Sequence, residues 1–449
     1  MRAAAAGGCV HVVGAGLAGL AAAVAVAGNG RSVILYEAAP HAGGRCRSYL
    51  DAELGCRIDN GNHLLLAGNQ SALDYLDRIG ARNSLEGPSE AAFPFIDAVT
   101  GERWTVRPNS GALPWWIFRA ARRVPQTRPF EYLAPLTLQR SSPVATITAV
   151  LDSRARLFRC LWQPLAVAAL NTGAEQGSAA LFGHMLGETL GRGGAACRPL
   201  LPRIGLSESF VEPALARLRI QGAEIRFGAR LRALGFGPDA VSELAFETGS
   251  VALDRADRVI LAVPAPIAAR LVPGLVVPDR HSPIVNAHFK HSSPAGLPFF
   301  VGVVGGAAEW IFRKREVLSV TVSAADRFVE RAAPELRDLF WRDVALAYRL
   351  PALPVPPARI VKERRATFLA SPEQLKRRPQ QATRWRNLLL AGDYVETGLP
   401  ATIEGAIRSG FVAAGLASDR LEAFSKSSGN GRAPVRLNCG NSAITSPTR

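Results

Sequence analysis

The chain opens with short apolar runs on either side of a stretch of small residues, and this pattern predicts a strand, a helix and a second strand. Residues 9–13 and 32–37 are apolar runs of the length that buried parallel strands favour. Residues 17–27 between them are mostly alanine, valine, leucine and glycine, which suits a helix packed closely on a sheet. One βαβ unit is therefore predicted at the N-terminus.

Apolar runs farther along predict a return to this first sheet and also a second sheet. Three more helices are expected, at 71–79, 208–221 and 401–423. Further strands of the first sheet are expected at 223–227, 258–263 and 387–391, and strands of a second sheet at 299–304 and 317–323.

Together these elements predict an α/β fold of two domains. A Rossmann-type domain would comprise 1–95, 203–270 and 360–424, interrupted by a mixed α+β domain of residues 96–202 and 271–359. Between 88 and 143 prolines are frequent and an aromatic cluster occupies 115–118, which favours an inserted domain over a continuing doubly wound sheet. The Ser/Asn/Gly-rich residues 425–449 are predicted to be a disordered tail.

Composition narrows the class of protein. Apolar residues make up 48% of the 449 positions and charged residues 20%, so a large core is available. The six cysteines are scattered without metal-ligand spacing, which predicts no metal site and fits a reducing compartment. Neither a secretory signal nor a spanning segment is visible, so we expect a cytoplasmic protein, soluble or peripheral at the inner face of the cytoplasmic membrane.

The formal net charge of +16 has two interpretations. It can reflect attraction to an anionic membrane surface, or only an arginine-rich genome, since arginine far outnumbers lysine. Nucleic acid is not an expected partner, because no basic stripe interleaved with aromatic residues is present.

The first chemical motif lies between the first predicted strand and helix. Gly14, Gly16 and Gly19 have the spacing G-x-G-x-x-G, which permits a tight turn, close approach of a diphosphate and close helix packing. Glu37 ends the second strand, where a carboxylate accepts hydrogen bonds from ribose hydroxyls. The predicted dinucleotide contacts are Gly14, Ala15, Gly16, Leu17, Ala18, Gly19, Glu37 and Ala38.

Two further motifs favour FAD over NAD. Gly43, Gly44 and Arg45 would bring backbone and a guanidinium to the same diphosphate, a second clamp that two-dinucleotide-fold flavoproteins have and NAD enzymes do not need. Near the C-terminus, Gly392 and Asp393 follow a buried strand, and a carboxylate there suits a ribityl hydroxyl. Residues Pro400, Thr402 and Ile403 then begin a helix whose N–H groups would face the flavin.

These motifs resemble the flavin amine oxidase and phytoene desaturase superfamily, over nearly the whole chain to about residue 424. Segments 58–69, 169–172, 197–201, 308–312 and 321–327 are similar to the bacterial hydroxysqualene dehydroxylase family. The resemblance implies FAD, an apolar triterpenoid substrate, and reductive conversion of hydroxysqualene to squalene for hopanoid synthesis. It also implies cofactor contacts at Asn60, Gly61, Asn62, His63 and Leu231.

The candidate catalytic residues are His63, Glu396 and Glu404. His63 would lie near the flavin and could protonate the departing hydroxyl while hydride is delivered from the cofactor. The alternative is a histidine that fixes its loop by hydrogen bonds. Glu396 and Glu404 are rivals near the flavin end, and Glu404 could equally be a carboxylate on a helix surface.

Residues 113–123 combine an aromatic cluster with three arginines, Arg119, Arg122 and Arg123. Such a segment can lie in a bilayer interface, which would suit a substrate insoluble in water. The alternative is that its rings line the substrate channel or a domain seam. Trp310 and Phe312 are expected in the core or the channel.

Two other functions stay open at this point. An oxidative relative, such as a carotenoid-type desaturase or an amine oxidase, would take hydride from its substrate instead of giving it. A non-catalytic prenyl-lipid carrier would keep the flavin as a structural relic. The electron donor and the oligomeric state are left open by the sequence.

Overall fold

The computed structural model describes residues 8–292 and 296–427, with the side chains of 419–427 excepted. The last helix runs from Ile403 to Ser427, so it begins two residues later than expected and continues into the predicted tail. The rest of that tail, from residue 428, lies outside the described residues. The five cysteines within the described residues are free thiols.

Five described strands form a parallel sheet, here called the nucleotide sheet. In spatial order they are Glu224–Phe227, Val33–Glu37, Val10–Val13, Arg258–Leu261 and Leu388–Leu390. The predicted return of the chain to the first sheet is therefore confirmed for all three later strands. The four strands other than the exposed edge strand Glu224–Phe227 are mostly aliphatic and buried, as expected for a parallel sheet covered on both faces.

Helices cover the nucleotide sheet and pack on one another very closely. They are Leu17–Gly28, Gln70–Arg78, Glu212–Ile220, Ala265–Leu271 and Ile403–Ser427. A Cβ at Gly410 would lie 2.2 Å from the carbonyl oxygen of Ala18, so the first and last helices meet at a contact that only glycine permits. The helix predicted at 208–221 is divided, because a π-helical turn, Ser207–Val211, precedes its α-helical part.

Seven described strands form a second, mostly antiparallel sheet, here called the large sheet. In spatial order they are Ala358–Phe368, His281–Lys290, Val317–Val322, Trp310–Arg313, Phe300–Val304, Phe93–Asp97 and Arg103–Val106. The domain boundaries predicted at 95/96 and 359/360 fall inside strands of this sheet. Strands pair along their whole length, so the large sheet begins at Phe93, before the predicted boundary at residue 96, and continues to Phe368, past the predicted boundary at residue 359.

The two faces of the large sheet differ in chemistry. One face packs its aliphatic side chains, such as Val285, Ile311 and Val320, against the helix Ala333–Tyr348. The opposite face carries Phe95, Trp310 and polar residues, and it turns towards the cofactor motifs. Alternation along each strand assigns neighbouring residues to opposite faces.

The remaining described elements are short and surround these two sheets. Small strands are Ser48–Asp51, Cys56–Asp59, Leu65–Leu66, Leu85–Glu86, Pro199–Pro202, Leu231–Phe236, Val241–Phe246 and Gly249–Ala252. Short helices are Ala134–Gln139, Ile147–Val150, Gln163–Leu170, Ala179–Glu188, Gly194–Cys197, Asp326–Val329 and Pro372–Leu375. Other helical turns are Arg82–Ser84, Trp115–Phe118, Ala120–Arg122, Pro129–Leu133, Phe158–Trp162 and Leu190–Arg192. No helix among the described residues has the length and apolar content to cross a membrane.

Candidate functional site

The first glycine motif forms an open cradle at the start of the helix Leu17–Gly28. Gly14 has a φ of +106°, and a Cβ there would lie 2.3 Å from the carbonyl oxygen of Ala262. A Cβ at Gly16 would meet nothing within 4 Å, so the space beside this residue is open. No side chain caps the helix at Gly16, which leaves the positive end of the helix directed at that space.

Glu37 holds this cradle in place and keeps acceptor capacity for a ligand. Its two carboxylate oxygens accept hydrogen bonds from Ala15 N and Ala39 N, each at 2.8 Å. A carboxylate can accept about four hydrogen bonds, so both oxygens can also accept from ribose hydroxyls. Ala229 N donates to the carbonyl oxygen of Glu37. This hydrogen bond brings the buried residue Leu231, which begins the next strand, close to Glu37.

The second glycine motif lies directly against the first. Gly43 N donates to Ala15 O at 2.8 Å, and Gly16 and Gly43 form an isolated parallel bridge. Gly44 has a φ of +57°, and a Cβ there would lie 3.6 Å from the Cα of Gly16. The two motifs therefore present backbone to one shared space, as the sequence predicts for a diphosphate clamp.

Arg45 and Asp393 join the second motif to the third. Arg45 Nη2 donates to Asp393 Oδ1 at 2.7 Å across 348 residues of sequence, and the carboxylate raises the pKa of Arg45. Arg45 Nη1 also donates to the carbonyl oxygen of Ala366 at 2.5 Å. Ala366 lies on an edge strand of the large sheet. The sequence predicted both residues at the cofactor and did not predict that they pair with each other.

The third motif folds around the start of the helix Ile403–Ser427. Gly392 N donates to Ser409 Oγ at 2.8 Å, which fixes the end of the strand against that helix. Thr402 Oγ1 accepts from Gly405 N at 3.1 Å and so caps the first turn. Pro400 and Ile403 are buried beside it.

Asp59 is the most deeply buried charge of the loop that follows the glycine motifs. Ser48 Oγ donates to it at 2.5 Å and Leu206 N at 3.0 Å, and Lys314 Nζ pairs with its second oxygen. Burial acts to raise the pKa of Asp59, but the Lys314 charge and these hydrogen bonds outweigh it, and the pKa is lowered. Lys314 was missed in the sequence, since its surroundings resemble an ordinary charged hairpin.

His63 lies four residues farther along the same loop and is half-buried. Burial lowers its pKa to about 4, opposed by the charge of Asp59 and assisted by Lys314 and Arg45. Its side chain makes no hydrogen bond to any residue that the structure describes, so a role in fixing the loop by such bonds finds no support there.

The two carboxylate rivals are engaged in the local structure. Glu404 Oε2 accepts from Ala72 N at 2.8 Å and Oε1 from Ser71 N at 3.1 Å, which caps the helix Gln70–Arg78. Glu396 Oε1 accepts from Gly398 N at 2.6 Å, and Oε2 lies 3.4 Å from the buried guanidinium of Arg378. Both carboxylates are therefore held by backbone and arginine partners.

A polar chain on the large sheet faces this loop. Asn62 Nδ2 donates to Thr321 Oγ1 at 3.0 Å, and Thr321 Oγ1 donates to Asn286 Oδ1 at 2.7 Å. Asn62 Oδ1 is buried without a hydrogen-bond partner. The sequence missed the role of Asn286, because a single asparagine inside an apolar strand has no local signature.

Aromatic rings continue the same face of the sheet away from the polar chain. Trp310 pairs in register with Thr321, and its ring lies 5.5 Å from Phe95 and 6.0 Å from Phe300. Trp310 and Phe312 are both buried in the core, as the sequence favoured. The polar chain therefore lies beside an apolar, aromatic-rich part of the core. No cluster of three His, Cys, Asp or Glu side chains able to hold a metal ion occurs in the described parts of the chain.

Comparisons with known proteins agree with this geometry. The family model "Flavin containing amine oxidoreductase" matches residues 17–417. The chain is 47% identical to the hydroxysqualene dehydroxylase of Rhodopseudomonas palustris, over 91% of this chain and 97% of that protein. It is 45% identical to the hydroxysqualene dehydroxylase of Zymomonas mobilis, over 91% and 98%. Cyclohexylamine oxidase from Brevibacterium oxydans shares the fold at a TM-score of 0.67 and 16% identity, over 93% of this chain and 100% of that one.

The residues present fit FAD. Two backbone loops without side chains meet at an uncapped helix start, which suits a diphosphate, and Glu37 is placed at the adjoining strand end for a ribose. With the family match, FAD is the cofactor and the protein is an FAD-dependent oxidoreductase. The chain belongs to the flavin containing amine oxidoreductase family and, within it, to the group of the hydroxysqualene dehydroxylases.

Proposed function

We propose that this protein converts hydroxysqualene to squalene by reductive dehydroxylation, in the route to hopanoids. The observation that carries the proposal is the similarity to hydroxysqualene dehydroxylases along 91% of the chain. The geometry supports it, because polar groups of the cofactor loop meet an aromatic-rich side of the large sheet. An apolar substrate with a single hydroxyl group matches that combination.

The reaction needs one hydride and one proton. Bound FAD, once reduced by an external donor, supplies the hydride. The hydroxyl oxygen takes a proton, its C–O bond breaks as water leaves, and a C–H bond forms at the same carbon. The protein must therefore hold a proton near the hydroxyl and keep bulk water from the carbon that loses it.

We propose His63 as the group that holds this proton. With a pKa of about 4, its ring carries one N–H and no net charge at neutral pH. The charge of Asp59 already acts to raise that pKa. The negative charge of a reduced cofactor near the ring would raise the pKa further and favour the imidazolium form, which is a proton donor. Glu396 and Glu404 are less suited, because both are held by partners of their own.

An anaerobic single turnover tests the proposal. The holoprotein is photoreduced and mixed with hydroxysqualene, and flavin absorbance and lipid products are followed together. We expect flavin reoxidation matched by squalene. In a parallel anaerobic turnover that starts from oxidised flavin, flavin reduction together with an added double bond in the lipid would indicate an oxidative relative. If the flavin stays reduced and the lipid is unchanged, the proposal is contradicted, and a non-catalytic lipid carrier becomes the better interpretation.

The same assay separates the three candidate acids. His63→Gln should slow squalene formation by about 100-fold or more at unchanged flavin content, since a positioned acid contributes roughly 10²–10⁴-fold. Glu396→Gln and Glu404→Gln should keep the rate of the unmodified protein within a few fold. An unchanged rate in the His63 variant would remove this residue from the mechanism.

We further propose that residues 113–144 contact an anionic membrane surface. Their outward side exposes apolar side chains beside arginines, and Arg119 and Arg122 lie 5.2 Å and 5.1 Å from the ring of Trp115. The exposed apolar residues are Leu113, Trp115, Phe118, Phe130, Leu133, Leu136 and Val144. Trp116 and Tyr132 of the same segment are buried, so it combines a solvent-facing apolar patch with rings in the core.

Vesicle co-sedimentation tests this surface. Replacing both Phe118 and Phe130 by serine should reduce binding to vesicles that contain phosphatidylglycerol. Val99→Ser, at an equally exposed apolar residue outside the patch, should not change binding. Equal binding by all three proteins, or binding that ignores lipid charge, would contradict the proposal.

A further inference from the structure

We infer that Asn62, Thr321 and Asn286 form a recognition site for the hydroxyl group of the substrate, and thereby allow the protein to prefer the alcohol over the hydrocarbon product. The inference rests on the proposed function and names the residues that determine its specificity. These three residues come from three separate parts of the chain, the cofactor loop and two neighbouring strands of the large sheet.

The register of the large sheet puts the polar chain beside the buried aromatic rings of the same face. Thr321 is directly opposite Trp310 on one side and Asn286 on the other. Directly opposite residues in an antiparallel pair share a face, so these three side chains form a row across three strands. One end of the row is aromatic and the other carries amide and hydroxyl groups, which matches a long hydrocarbon with one polar atom.

The hydrogen bonds within the chain leave one amide atom without a partner. The Thr321 hydroxyl accepts from Asn62 and donates to Asn286, so its only proton is used within the chain and its oxygen keeps one further acceptor site for a ligand hydroxyl. Asn62 Oδ1 is then buried and unpaired, a state that costs roughly 1–3 kcal/mol for a polar group. A hydroxyl group of a ligand would satisfy it, and a hydrocarbon would not.

Burial makes this site selective. Asn286 is 1% exposed and Thr321 9% exposed, so bulk water does not compete freely for their hydrogen bonds. A Cβ on Gly61 would lie 3.3 Å from Asn286 Nδ2, which places that amide directly against the cofactor loop. Sites built to bind a hydroxyl discriminate strongly against analogues that lack it, because their buried polar groups are then left unpaired.

The chain contains a well-matched control. Ser319 lies on the same strand and the same face, two residues from Thr321, and its hydroxyl contacts His288 Nδ1 at 2.8 Å instead of the polar chain. Thr321→Val removes the central hydroxyl at nearly constant volume, and Thr321→Ser restores it. Ser319→Ala removes a neighbouring hydroxyl that the site does not use.

The test is the ratio of the dissociation constants for squalene and hydroxysqualene. Oxidised holoprotein is titrated with each lipid in detergent micelles, with flavin absorbance and tryptophan fluorescence as readouts, after flavin content and Tm have been checked. We expect the unmodified protein to favour the alcohol by roughly 10- to 100-fold. Thr321→Val should bring the ratio close to one by weakening only the alcohol, while Thr321→Ser and Ser319→Ala keep it.

A Thr321→Val protein with an unchanged ratio, or with equal losses for both lipids, would overturn the inference. If the Thr321→Val ratio is unchanged but the unmodified protein still forms squalene in a single turnover, this site is excluded and the proposed function stands. Failure of the unmodified protein to bind hydroxysqualene would overturn both. A Thr321→Val protein that does not fold is replaced by Asn286→Leu, for which the same ratio is expected to fall.

Discussion

The nucleotide cradle and the cofactor-facing side of the large sheet recognise ligands in different ways. The cradle uses backbone, because a Cβ at Gly16 would enter the open space, and a Cβ at Gly14 or Gly43 would collide with a neighbouring backbone carbonyl. The sheet uses side chains, such as the Thr321 hydroxyl and the Trp310 ring. Recognition by backbone is encoded within a short stretch of sequence, whereas recognition by a sheet face needs strands that are far apart in the chain.

The strongest way to break the cradle is to add a side chain to it. Gly14→Val should abolish FAD binding and give little folded protein, because φ is +106° and a Cβ would lie 2.3 Å from a carbonyl oxygen. Gly30→Ala is the control, since Gly30 also has positive φ but a Cβ there meets nothing within 4 Å. The ratio of flavin to protein absorbance checks both variants, and a flavin-replete Gly14 variant would contradict the account.

The second largest effect is expected from breaking the ion pair between Lys314 and Asp59, which joins the cofactor loop to the large sheet. Lys314, in the hairpin between two strands of the large sheet, is the basic partner of Asp59, whose side chain is 3% exposed. Lys314→Met should lower the free energy of unfolding by about 3 kcal/mol, because it leaves a buried carboxylate without its cation. Arg364→Met, which loses a solvent-exposed pair with Glu330, should leave the free energy of unfolding nearly unchanged in the same denaturation experiment.

Acid should weaken the sheet side through its buried histidines. Burial lowers the pKa of His288 to about 4, against 6.5 for an unperturbed histidine, so between these values the unfolded chain binds a proton that the folded protein does not. The free energy of unfolding should therefore fall from pH 6.5 towards pH 4, with about 2 kcal/mol from His288 at pH 5. His288→Gln should show a correspondingly smaller fall, and parallel curves for the two proteins would contradict the assignment.

The smallest expected effect is that of Glu404→Gln, which distinguishes a structural role of this residue from a catalytic one. Glu404→Gln should reduce the free energy of unfolding by about 1–2 kcal/mol, because its carboxylate accepts from Ser71 N and Ala72 N. Single-turnover rates should remain near those of the unmodified protein. A large loss of rate with unchanged stability would make Glu404 a catalytic candidate again.

The nucleotide-binding half was largely predictable from the sequence. Its strands are continuous apolar runs, and its glycines occur at spacings that follow from backbone sterics. The pairing of Arg45 with Asp393 was not predictable, because 348 residues separate them and only the folded sheet order brings them together. Lys314 and Asn286 were missed for the same reason, as each gains its role from a partner on another segment.

The domain boundaries could not be predicted accurately for a related reason. Composition changes where prolines and aromatic residues accumulate, but pairing within a sheet decides where a domain begins. The strands Phe93–Asp97 and Ala358–Phe368 therefore belong to the large sheet although their predicted boundaries cut through them. Local composition carries no information about which strand a segment will pair with.

Deuterium labelling can follow the hydride from the reduced cofactor to the lipid. Holoprotein is photoreduced anaerobically in D₂O, where the transferable hydrogen of the reduced cofactor exchanges with solvent, and is mixed with hydroxysqualene for one turnover. The account predicts squalene with a single deuterium at the carbon that carried the hydroxyl, in amounts equal to the flavin reoxidised. Squalene without deuterium at that carbon, or reoxidation without squalene, would contradict it.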